Sequence, residues 1–124
     1  MKRSCCFFDF RSHQSNYVLF PPKLEGCTVV DLGCGVGRDV FILSKLVGQN
    51  GRVIGVDSER SQVRTIQNSF LFPFDFFQLD VARHYIDYHM KQFHYSESNV
   101  EFFETDIDQL EKTKIQPNSV DVVV

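Results

Sequence analysis

Three glycines alternate with other residues in Asp31-Leu32-Gly33-Cys34-Gly35-Val36-Gly37. A short β-branched apolar run, Cys27-Thr28-Val29-Val30-Asp31-Leu32, leads into them, and Val36, Val40, Leu43 and Val47 follow at helical spacing. Open α/β sheets take their ligands at such a point, between a strand's carboxyl end and a helix's amino end. Glycine suits the position because a Cβ would hold the ligand off the backbone, and because the turn needs φ/ψ values that other residues resist. Twenty residues after Gly37 stands Asp57, closing a second apolar run, Arg52-Val53-Ile54-Gly55-Val56-Asp57. A carboxylate there accepts hydrogen bonds from both hydroxyls of a ribose. The glycine turn and the acid together read as a nucleoside-cofactor site. They do not match the dinucleotide fingerprint G-x-G-x-x-G, because the third glycine comes one residue early and Arg38 takes the final position.

Other reactive residue types make weaker patterns. Cys5, Cys6, Cys27 and Cys34 include no C-x-x-C pair, and they read as free thiols of a non-secreted protein. His84, His89 and His94 step by five, which does not bring them to one helix face, so no metal site is expected. Glu101, Glu104, Asp106, Asp108 and Glu111 read as a solvated edge.

These groups must be positioned by one domain, since the chain has 124 residues. The formal charge of -3 carries no basic footprint for nucleic acid. No run reaches the length of a membrane span, and Asp9 and Arg11 interrupt the start too early for a signal peptide, so a cytoplasmic location is expected. Residues 1–23 mix aromatics, polar residues and Pro21-Pro22 without a period, and read as an irregular arm. The stretch from Cys27 to Asp57 reads as strand, glycine turn, helix, strand, with Gly48 to Gly51 stopping the helix. Such a βαβ unit has a right-handed crossover, which makes its strands parallel neighbours. Residues 99–105 and 119–124 supply two more strands. Leu79, Ala82, Ile86, Met90 and Phe93 mark an amphipathic helix before the third. The fourth strand is expected to be an exposed apolar edge.

Asp31-Leu32-Gly33-Cys34-Gly35-Val36-Gly37 resembles the first motif of class I S-adenosylmethionine-dependent methyltransferases. The wording narrows this further. Arg38-Asp39, Leu43-Ser44-Lys45-Leu46-Val47-Gly48, Gly51 to Asp57, Tyr85-Ile86-Asp87-Tyr88-His89-Met90 and Ser98-Asn99-Val100 are similar to the arsenite methyltransferase family. The resemblance implies a Rossmann-like α/β fold, of which this chain supplies the amino-terminal half of the doubly wound sheet, about four strands. It implies S-adenosyl-L-methionine as cofactor. Gly33, Cys34, Gly35 and Gly37 would pass under its methionyl part, Asp31 would brace the loop, Asp57 would hold the ribose, and Asp106 and Ile107 would flank the adenine. The substrate implied is a small molecule, arsenite or its thiol adducts, methylated on trivalent arsenic held by soft thiolates. A monomer is implied for the full-length protein.

The chain also departs from that family. The arsenic-binding cysteine that precedes Pro21 in the family falls at about Asn16, and the next one would follow the fourth strand, so no catalytic residue is assigned. Cys27 and Cys34 read as plain buried thiols. Residues 24–124 are expected to be a partial cofactor-binding domain, marginally stable and weakly binding in isolation. Its runner-up readings are a non-catalytic, truncated cofactor-binding polypeptide and a methyltransferase for another small molecule. Deleting residues 63–78 closes the family pattern, joining Ser61-Gln62 to Leu79-Asp80. Val63-Arg64 is encodable as a splice donor, the Phe-rich run as a pyrimidine tract, and Gln78 as an acceptor end. That insertion is therefore expected to be a translated intron, with a Phe-rich lid and a surface loop as rivals.

Overall fold

The computed structural model describes residues 6–7, 23–58 and 78–124. In chain order these form β1 (Cys6–Phe7), β2 (Thr28–Leu32), α1 (Arg38–Val47), β3 (Arg52–Asp57), α2 (Gln78–His84), α3 (Ile86–Phe93), β4 (Val100–Glu104), a 3₁₀ helix (Ile107–Lys112) and β5 (Val122–Val123). Of the insertion at residues 63–78, only Gln78 lies within the described residues.

The strands form one parallel sheet in the order β1-β5-β2-β3-β4. Parallel strands covered on both faces read as nearly continuous apolar runs, which is what β2 and β3 are. Alternate residues serve opposite faces. Val29, Val53, Val100, Phe102 and Val122 pack with Val40, Leu43 and Val47 of α1, Leu79 and Ala82 of α2, and Met90 of α3. On the other face Val30, Ile54 and Val56 meet Leu32, Phe103, Leu110, Ile115 and Val120.

Several expectations change. The arm at residues 1–23 is not irregular throughout, because Cys6 and Phe7 pair with Val122 and Val123. The edge expected to be exposed on the fourth strand, now β5, therefore carries a neighbour. Two residues suffice to satisfy part of that ladder, yet they are too few to show a period in sequence. Val36 was expected on the helix, but α1 begins at Arg38 and Val36 stands exposed in the turn before it. The single amphipathic helix is two, α2 and α3, divided at Tyr85, whose N–H bonds the Ala82 carbonyl at 3.2 Å. The expected stripe survives the break: Leu79, Ala82 and Met90 are buried, and Ile86 and Phe93 pack against the same core.

The carboxyl end of α1 is anchored by a buried polar pair. Asn99 Nδ2 donates to the carbonyls of Ser44 at 3.1 Å and Gly48 at 2.9 Å, while Ser44 Oγ donates to Asn99 Oδ1 at 2.6 Å. Helix ends leave such carbonyls without intrahelical partners, and burial makes each unmet one costly. Asn99→Ala is expected to destabilise the fold by about 1–3 kcal/mol, read from urea unfolding followed by circular dichroism. By contrast the exposed Arg52–Glu101 pair at 2.9 Å contributes about 1 kcal/mol at most.

Candidate cofactor site

The turn after β2 is held by β3. Gly33 and Cys34 both donate their N–H groups to the Val56 carbonyl, at 2.7 and 3.1 Å, and Gly37 N–H closes the turn onto the Cys34 carbonyl at 3.0 Å. Two of the glycines do different work. Gly37, at φ +80, caps α1, and a Cβ there would stand 2.8 Å from Phe102 Cζ and 3.0 Å from Ala82 Cβ. It lets the helix and the sheet approach. At Gly35, φ +55, a Cβ would meet among the described residues only the Gln78 carboxamide. Without a Cβ, its backbone can be approached by a ligand.

Asp57 closes β3 and accepts the Gly35 N–H on Oδ2 at 2.6 Å. The strand-end acid and the glycine turn, separate in sequence, are thus directly bonded. Thr105 N–H donates to the Asp57 carbonyl at 3.0 Å, bringing the end of β4 to the same edge. Asp106 follows, half-buried, and then Ile107, which is 50% exposed despite being apolar. An exposed apolar side chain beside the acid offers a surface for a planar base. Asp31 is buried within β2, paired in register with Gly55. The expected residues Asp31, Gly33, Cys34, Gly35, Gly37, Asp57, Asp106 and Ile107 therefore all come to the carboxyl end of the sheet.

Cys34 turns inward. Its Sγ packs toward Gly55, 2.9 Å from where a Cβ on that glycine would lie, and it is 8% exposed. Burial foremost, then the charges of Asp31 and Asp57, push its thiol up to about 12. At neutral pH it is an uncharged thiol and not a ligand for a soft ion, since the thiolate is the reactive form. Cys27 lies before β2, at the opposite end of the sheet. Alkylation at pH 8 followed by peptide mass spectrometry should find Cys34 slower in the folded chain than in urea by roughly two to three orders of magnitude. Equal rates would show that the thiol is not enclosed.

The histidines do not converge. His89 stacks on Phe41 with centroids 4.0 Å apart, and burial lowers its pKa. His84 ends α2 and His94 caps α3. Among the described residues no group of His, Cys, Asp or Glu could hold a metal ion, and no helix is long and apolar enough to cross a membrane. A groove of about 790 Å³ runs between α1 and α3, lined by Phe41, Ile42, Leu46, Tyr85 and Phe93 among others. Asp31, Asp57 and Asp106 do not line it, so it is separate from the edge where the glycine turn and Asp57 meet. Sequence reasoning missed Gln78 over Gly35 and Phe102 behind Gly37; neither contact has a sequence signal, since both cross between elements.

Comparison with known proteins decides the family. The sequence profile of the family described as "Methyltransferase domain" matches residues 23–124. The chain belongs to that methyltransferase family. Within it, the chain is similar to an arsenite methyltransferase from Homo sapiens, 37% identical over 107 residues, covering 86% of this chain and 24% of that protein. An arsenite methyltransferase from Aquipseudomonas alcaligenes is 36% identical over 104 residues, covering 84% and 25%. The crystal structure of an arsenic(III) S-adenosylmethionine methyltransferase from Chlamydomonas reinhardtii superposes with a TM-score of 0.66 at 32% identity, over 84% of this chain and 30% of that one. A second structure, a SAM-dependent methyltransferase from Aquifex aeolicus, shares the fold with a TM-score of 0.51 at 24% identity. This methyltransferase domain thus spans about a quarter of the length of the curated relatives it matches. The Rossmann-like α/β fold that the resemblance implies is the one found.

Proposed function

We propose that this chain binds S-adenosyl-L-methionine at the turn from Gly33 to Gly37, as the cofactor-holding part of an enzyme that methylates trivalent arsenic. One observation carries the cofactor half of this reading: the bond from Gly35 N–H to Asp57 Oδ2, which sets a ribose acceptor against a bare glycine backbone at the carboxyl edge of a parallel sheet. Asp57 then orients the ribose, Ile107 and Asp106 border the base, and Gly33, Cys34 and Gly35 lie under the amino-acid portion. Asp31, buried behind the turn, braces it. When bound, the cofactor supplies an electrophilic methyl group on a sulfonium. The contribution of the glycine turn is to hold and orient it; among the described thiols, Cys34 is neutral and enclosed and Cys27 stands at the opposite end of the sheet.

The arsenic half rests on similarity to the arsenite methyltransferases. Thiolates that present the ion would come from other cysteines of the whole enzyme. We assign residues 24–124 to the cofactor-binding domain and residues 63–78 to an insertion from a retained intron; reading the transcript across that segment tests the latter. The acidic balance of the chain favours a small-molecule substrate over nucleic acid, and a cytoplasmic monomer is the corresponding form of the full-length protein. Equilibrium dialysis with radiolabelled S-adenosylmethionine tests the binding reading. Retention competed by S-adenosylhomocysteine and not by NAD supports it, and retention competed equally by NAD would refute it.

A further inference from the structure

The groove between α1 and α3 lies apart from the glycine turn and Asp57, and its lining has a chemistry of its own. Its volume of about 790 Å³ falls in the range of small-molecule pockets, about 300–1,000 Å³. Much of the lining is aromatic. Phe41 stacks on His89 with centroids 4.0 Å apart, Phe93 follows His89 at 5.8 Å, and Tyr85 stands 6.5 Å from the same ring. Val36, Ile42 and Leu46 add aliphatic surface, and all three are exposed. Apolar side chains gathered around a concavity and left open to water mark a binding surface.

The charges in the lining are of one sign. Arg38 and Lys45 lie about two turns apart on α1, and no carboxylate lines the groove. Among the described residues neither cation has an acidic partner; the ion pairs there are Arg52–Glu101 and Arg83–Asp80. Lys45 Nζ instead stands 5.8 Å from the centroid of Phe93, which sets a positive charge over the apolar surface. His89, its pKa lowered by burial, contributes an uncharged ring at neutral pH. We propose that this groove binds an amphipathic anion, its aromatic body laid against Phe41, Phe93 and Leu46 and its anionic group meeting Lys45.

This site does not depend on the cofactor reading. Its test is a fluorescence titration of the full chain with anilinonaphthalene sulfonate, an aromatic anion, beside phenylnaphthylamine, which has the same rings without the sulfonate. The sulfonate should bind saturably, and S-adenosylhomocysteine should not displace it. Lys45→Glu should weaken the sulfonate roughly tenfold, because an attraction becomes a repulsion, and should leave the neutral probe within about twofold. Leu46→Asp should weaken both probes. Lys45 and Leu46 are exposed, so circular dichroism should find both variants folded. No saturable binding by the folded parent, equal sulfonate affinity in the parent and Lys45→Glu, or displacement by S-adenosylhomocysteine overturns the proposal. So does a probe signal that falls as chain concentration rises, which would seat a second copy of the chain in the groove.

Discussion

Replacing Asp57 by alanine should abolish measurable cofactor binding while the sheet stays folded. Two losses add at that position. The ribose loses its acceptor, and Gly35 N–H loses the carboxylate that holds the turn in place at 2.6 Å. Hydrogen bonds to a charged group contribute about 1.5–3 kcal/mol each, so affinity should fall by about a hundredfold or more. Asp57→Asn retains one acceptor oxygen and should fall between the parent and the alanine variant. Asp57 is only half-buried and lies at a strand end, so circular dichroism should not change. Binding that survived Asp57→Ala at parental strength would move the ribose elsewhere.

The second large effect separates two glycines that look alike in sequence. Gly37→Val should unfold the chain. The substitution puts a β-branched residue at φ +80 and drives its Cβ into Phe102 and Ala82, both in the core. A left-handed backbone costs a non-glycine residue roughly 1–2 kcal/mol, and forced overpacking costs about 1–3 kcal/mol more. For a domain of this size that is a large share of the total stability. Gly35→Ala should behave differently: at φ +55 it carries the same left-handed cost of roughly 1–2 kcal/mol, but among the described residues its Cβ meets only the end of the flexible Gln78 side chain, so the fold should be weakened without being lost while ligand approach is blocked. Thermal unfolding of the two variants, set beside titration of Gly35→Ala with S-adenosylhomocysteine, reads both outcomes. A Gly35→Ala chain that binds normally would show that the ligand does not use this backbone.

The distinction between these glycines marks where sequence stops being informative. The alternation of Gly33, Gly35 and Gly37 after a β-branched run, and Asp57 at the end of the next, are local patterns with a period and a spacing, and they were legible. So was the buried stripe from Leu79 to Phe93, because burial on one helix face leaves a regular trace even across a break. The break at Tyr85 left none, since a local 3₁₀-type bond preserves the spacing on either side. Nor did β1, whose two residues are held by backbone groups that every sequence possesses. Gly37 and Gly35 part company only through Phe102 and Gln78, residues distant in the chain that tertiary packing brings beside them. Cys34 was read as a plain buried thiol, and its contact with Gly55 supplies the reason.

The most direct test of a cofactor held by the glycine turn is an amide-resolved NMR titration of the full chain, with glycine nitrogens labelled, against S-adenosylmethionine. The account predicts saturable shifts at Gly33, Gly35 and Gly37, with Gly26, Gly48 and Gly51 at the other end of the sheet unmoved. Shifts confined to Gly26, Gly48 and Gly51, or none at saturating cofactor in a folded chain, would contradict it.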